Sequence, residues 1–137
     1  MKAILFILMI FGISSITLSQ EKTGKKAKKT KAPITFVKTE IERNGITYGA
    51  DETFTFEFKN NTKSPIIITN VGTSCGCTTA KKPEEPIKPG KKGEIAVKYD
   101  TKRVGEFTKT ITVTTSAQPE PIQLMIKGSV NPEGTTN

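Results

Sequence analysis

One pattern limits what this chain can become: beyond Pro33 the dominant period is two, with runs in which apolar and polar residues alternate one by one. In TFTFEFKN, Phe54, Phe56 and Phe58 point one way, and Thr55, Glu57 and Lys59 point the other. EIAVKYD repeats the rhythm with Ile95, Val97 and Tyr99. GEFTKTITVTTS sets Phe107, Ile111 and Val113 against a row of threonines at 108, 110, 112 and 114. PIQLMIKGSV sets Ile122, Leu124 and Ile126 against Gln123, Met125 and Lys127. A period of two belongs to strands with one face buried and the other in water. Threonine suits the wet face, because its branched Cβ fits the pleat.

Turn chemistry separates these runs. KNNTKSP (59–65) is rich in turn formers. KKPEEPIKPGKKGE (81–94) carries three prolines and the pair Pro89-Gly90, favoured at the centre of a type II turn. SAQPEP (116–121) interrupts the chain before the last strand. No long stretch has a helical period with caps, so no substantial helix is expected. Residues 34–131 are therefore read as one all-β domain, an immunoglobulin-like antiparallel β-sandwich of about seven strands. Residues 132–137 are read as a flexible tail. Tryptophan is absent, and the two cysteines are too near in sequence to bridge distant strands. The core must rest on Phe, Ile, Val and Leu.

The first residues have a different character. Lys2, an apolar run from Ala3 to Ile16, and Thr17 and Ser19 before Gln20 make 1–19 a secretory signal peptide. Its apolar run is short for a membrane span, and no later stretch is long enough for one. No cysteine follows directly to carry a lipid. The mature protein is expected to be exported, to the periplasm or the cell surface, without a transmembrane segment.

Residues 20–33 hold six lysines against one glutamate, and a disordered linker is expected there. Of the formal net charge of +8, Lys2 supplies +1 and this linker +5, leaving +2 for everything from Pro33 onward. The folded part is thus almost neutral, and no aromatic residues interleave with the basic run. Nucleic acid is not an expected partner. The lysines can attract an anionic surface or serve as a solubilising spacer.

The aromatic strand ending in Asn60, the block SCGCT, the run I-x-P-G-x-x-G-x-I-x-V-x-Y (87–99), G-x-F-x-K (105–109) and I-K-G-x-V (126–130) together resemble the bacterial family called domain of unknown function 1573. The resemblance covers about ninety residues. It implies an exported immunoglobulin-like domain, similar in architecture to chaperone and major-sperm-protein sandwiches, and it implies no activity.

Cys75-Gly76-Cys77 is the one pointed chemical feature. Were Ile66 to Thr79 a single strand, both thiols would share a face with Ile67 and Val71, with Cα atoms about 6.5–7 Å apart. A disulfide prefers roughly 4.4–6.8 Å, so a bridge needs a kink, which Gly76 as spacer would permit. Four readings stand side by side: a stabilising disulfide, a redox-active pair, a soft-metal clip for Cu(I), and reduced thiols packed in the interior. Zinc wants more ligands than two cysteines and no histidine supply. Met125 is a third soft ligand only if the fold brings it near.

Histidine, the commonest catalytic base, is absent. No P-loop, dinucleotide fingerprint or HExxH occurs. Glu84 and Glu85 read as loop charge, and Asn60-Asn61-Thr62 matches a glycosylation sequon of a kind common by chance. Lysines 63, 81, 82, 88, 91 and 92 fall in connections, where solvation or an acidic partner would account for them. The expected function is a non-enzymatic exported module that binds or scaffolds an envelope component. The alternative is a small thiol protein using Cys75 and Cys77 for redox exchange or Cu(I) binding. No other cofactor is expected.

Overall fold

A computed structural model describes residues 31–134. The expected signal peptide (1–19), most of the expected linker and the last three residues of the expected tail lie outside this range. Eight strands follow one another: β1 (Ile34–Phe36), β2 (Glu40–Ile46), β3 (Thr53–Asn60), β4 (Ile68–Thr73), β5 (Thr78–Lys81), β6 (Lys92–Tyr99), β7 (Gly105–Thr115) and β8 (Gln118–Val130). They form two four-stranded sheets, ordered β1-β3-β6-β5 and β2-β8-β7-β4.

This is the seven-strand immunoglobulin arrangement with its first strand divided. β1 pairs antiparallel with β3 on one sheet, Val37–Thr39 carries the chain across, and β2 pairs with β8 on the other. The expected immunoglobulin-like sandwich of about seven strands is present, and this division adds two details. Among the described residues the strands number eight, and β2–β8 is a parallel pair in an otherwise antiparallel sandwich. The division left little trace in the alternation: β2 is an edge strand whose charged residues Glu40, Glu42 and Arg43 stay in water, and Ile46 is its one buried side chain.

Opposite charges face each other across the parallel pair. Lys127 Nζ lies 2.6 Å from Glu40 Oε1 and 3.3 Å from Glu42 Oε2. The hydrogen bond from Asn44, followed by that from Lys127, holds the Glu42 carboxyl below the usual carboxylate range, and the two glutamates hold the Lys127 ammonium above its own. Gly128 lies opposite Arg43. A Cβ there would overlap the Arg43 carbonyl, so the approach of β2 to β8 requires a bare backbone at this point.

The inner faces are those the alternation indicates. Phe54, Phe56, Phe58, Ile95 and Val97 from the first sheet meet Ile111, Val113, Leu124 and Ile126 from the second, and all are fully buried. Full burial of such a side chain contributes about 1.5–3 kcal/mol. Phe107 joins the sheets, edge-on to Phe54 at 6.2 Å and stacked on Tyr99 at 3.9 Å. The turn at Pro89-Gly90 closes with Lys91 N donating to Lys88 O, and Gly90 takes φ +72° as that turn demands.

Each lateral side of the sandwich is crossed once by the chain. At one side β1 passes to β2; at the other, β4 at the edge of one sheet passes to β5 at the edge of the other. Cys75 and Cys77 lie in this second crossing.

Candidate functional site

Ile66 to Thr79 is two strands in different sheets rather than one. The first of them, β4, stops at Thr73, and Ser74–Cys77 turns the chain across the side of the sandwich before β5 begins at Thr78. The common face anticipated for Ile67, Val71, Cys75 and Cys77 therefore does not exist. The turn brings the two cysteine Cα atoms to 5.3 Å, and the sulfurs are joined as a disulfide.

The bend is anchored to both sheets. Ser74 N donates to Thr110 O on β7 (3.1 Å), and Asp100 N donates to Cys77 O (2.9 Å) just after β6. Thr78 N donates to Cys75 O at 3.3 Å. The Thr73 hydroxyl lies 3.1 Å from the carbonyls of both Cys75 and Thr78, a donor shared across the turn. Gly76 has no positive φ, and a Cβ there would meet nothing within 4 Å. The bend is thus made by the flanking hydrogen bonds rather than by a left-handed glycine.

Cys77 is buried and Cys75 half-buried against the core. Thr78 is buried as well, and its Oγ1 sits 3.6 Å from Cys75 Sγ and 3.8 Å from Cys77 Sγ. Sequence reading passed over Thr78, because one threonine in TSCGCTTA looks like any other. Met125 alternates outward between buried Leu124 and Ile126, while Cys77 packs into the core. Among the described residues no three His, Cys, Asp or Glu side chains gather as metal ligands.

Other residues singled out from sequence lie elsewhere. Glu84 and Glu85 are exposed, and with Lys88, Lys91 and Lys92 they line a depression of mixed charge rather than a cationic cup. No helix among the described residues is long and apolar enough to cross a membrane.

Asn60 is wholly buried. Its Nδ2 donates to Ser64 O and Ile87 O, both at 2.8 Å, and its Oδ1 accepts from Thr62 N (2.8 Å) and Thr62 Oγ1 (2.7 Å). The amide of the sequon's asparagine is thereby consumed in tying two loops together, so it is no acceptor for a sugar in the folded domain.

The edges of the two sheets differ. β1 has three residues, β2 carries exposed charges, and β5 has four residues and ends in Lys81. β4 has six residues, with neither lysine nor proline. The inward bond from Ser74 N fixes the alternation along this strand, so the backbone groups of Val71 and Thr73 point away from β7.

A family model described as "Protein of unknown function (DUF1573)" matches residues 34–130. No curated protein matches the chain. Among solved structures, a protein of unknown function from Porphyromonas gingivalis W83 superposes with a TM-score of 0.62 at 16% identity, over 71% of this chain and 46% of that one. This chain thus spans less than half the length of that protein. The PapD-like domain 7 of human CEP192 gives 0.62 at 7% identity, over 76% of this chain and 88% of that one. The YadV chaperone gives 0.51 at 15% identity, over 77% and 54%. At such identities the likeness is one of fold: an immunoglobulin-like, PapD-like sandwich.

Proposed function

This chain belongs to the DUF1573 family, and from that premise we propose that it is an exported, non-catalytic module that holds another cell-envelope component as an added strand on the open edge of β4. The observation that carries the reading is the contrast among edges. Natural sheets blunt exposed edges with short strands, charges or proline. β1 and β5 are very short and β2 is charged along its length, whereas β4 has only a register shift between Ile68 and Asn70 and leaves Val71–Thr73 regular, uncharged and free of proline. An extended segment laid along β4 would gain main-chain hydrogen bonds from Val71 and Thr73. The fold shared with the YadV chaperone supports a protein as the partner. Export rests on the character of residues 1–19, and the lysines of 20–33 supply an attraction to anionic surfaces that would keep the module near the envelope.

Photo-crosslinking tests this. A photoreactive residue at exposed Asn70 on β4 is expected to give a defined adduct in intact cells, and the same residue at exposed Thr55 on the first sheet is not. Val71→Pro removes an outward N–H without breaking the β4–β7 ladder, and it should abolish the adduct. Equal adducts at both sites, or one that survives Val71→Pro, would overturn strand addition.

A second reading, a thiol protein working through Cys75 and Cys77, draws support from the Thr78 hydroxyl facing both sulfurs. The double variant Cys75→Ser/Cys77→Ser separates the two: a binding module keeps its Asn70 adduct, and a thiol protein loses its activity.

A further inference from the structure

We infer that Cys75–Cys77 is an exchangeable redox couple for thiols, and that Thr78 tunes it by hydrogen-bonding the thiolate released on reduction. This rests on and deepens the second reading, a thiol protein, and stands whether or not partner binding at β4 holds. Three observations meet at the crossing.

The first is that the S–S bond is not the only thing fastening the bend. Ser74 N to Thr110 O, Asp100 N to Cys77 O, Thr78 N to Cys75 O and the shared Thr73 hydroxyl fasten it to both sheets. A bridge between residues two apart also constrains the unfolded chain very little, since that effect grows with loop length. The disulfide can therefore open while the sandwich stays closed.

The second is the setting of the Thr78 hydroxyl. It is buried, and among the described residues its hydrogen-bond partners are the two sulfurs. Sulfur in a disulfide is a weak acceptor, so a buried donor aimed at it is poorly satisfied. A thiolate is a strong acceptor, and hydrogen bonds to charged groups are about twice as strong as neutral ones. Thr78 thus favours the state in which one sulfur carries a negative charge, and its hydroxyl opposes the penalty that burial puts on a thiolate there, with no histidine involved.

The third is unequal access: Cys75 is half-buried and Cys77 is buried. An incoming thiolate RS⁻ attacks Cys75 Sγ and forms an RS–Cys75 mixed disulfide. The Cys75–Cys77 bond breaks, and its electron pair leaves on Cys77 Sγ, where Thr78 donates. A second RS⁻ attacks the sulfur of the bound RS group, releasing RSSR and the Cys75 thiolate, and two protons from solvent complete the two thiols. The external thiols lose two electrons and the protein pair gains them.

Glutathione is the probe. The chain from Gln20 to Asn137 is equilibrated in graded glutathione/glutathione-disulfide buffers, quenched by alkylation and weighed. Iodoacetamide rates are then followed against pH for the reduced protein. A reversible two-electron titration is expected, with a native far-UV spectrum at both ends. Thr78→Val should slow reduction about tenfold, as loss of one bond to a charged group implies, and should move the alkylation midpoint to higher pH. Thr78→Ser should restore both, and Thr78→Ala carries the comparison if the valine variant does not fold. Resistance of the folded wild type to millimolar glutathione, unfolding on reduction, or a pH midpoint unmoved by loss of the hydroxyl would each overturn the inference.

Discussion

Asn60 and Gly76 show how far a residue's role can depart from its local signature. Asn60 ends β3 and supplies four side-chain hydrogen bonds that tie the 60–64 turn to the loop before β6. Asn60→Ala would remove all four bonds from a wholly buried site, while Ile87 O keeps Ile66 N and Ser64 O keeps Thr62 Oγ1 as donors, and we expect a loss of about 1–3 kcal/mol in urea unfolding from the lost bonds and the space left behind. Gly76 should behave in the opposite way. With no positive φ and open space at its Cβ, Gly76→Ala is expected to leave the midpoint unchanged or raise stability by about 0.4–1 kcal/mol, through the unfolded chain. The same urea titration reads both. Neither role was legible beforehand. Asn60 followed by Asn-Thr looks like turn chemistry or a sequon, and a glycine between cysteines looks like a hinge, whereas burial and φ are set by parts of the chain remote in sequence.

Among elements, the strands that span the core were legible and those at the edges were not. β3, β6, β7 and β8 each bury one face, so their alternation survives in the sequence. β1 and β2 share one edge function between two sheets, and three charges in Glu40–Arg43 mask any rhythm. β4 and β5 read as one strand because a change of sheet has no signature in residue type. The parallel β2–β8 pair yields a prediction of its own. Gly128→Ala places a Cβ on the Arg43 carbonyl, so β2 must shift away from β8. We expect faster hydrogen exchange at Glu40–Arg43, with β3 and β6 unaffected. The ion pairs of Lys127 with Glu40 and Glu42 are exposed to solvent and should be screened by salt.

For the whole molecule, the contact between the sheets carries a pH dependence. Tyr99 from one sheet stacks on Phe107 from the other, and burial holds its phenol above the ordinary range. The folded state therefore holds this proton more tightly than the unfolded chain. The resulting stability is fully present below the unfolded value of about 10 and is lost as pH rises through the folded value. Thermal midpoints should fall above about pH 10, and Tyr99→Phe should flatten that decline.

The divided first strand has a mechanical consequence. Because β2 and β8 run parallel, a pull on the chain ahead of β2 and on the chain beyond β8 acts on opposite ends of one paired ribbon. Its hydrogen bonds are loaded together in shear instead of being peeled one at a time. A domain held through its two ends should therefore resist stretching, giving in force spectroscopy a single high rupture peak that Gly128→Ala lowers.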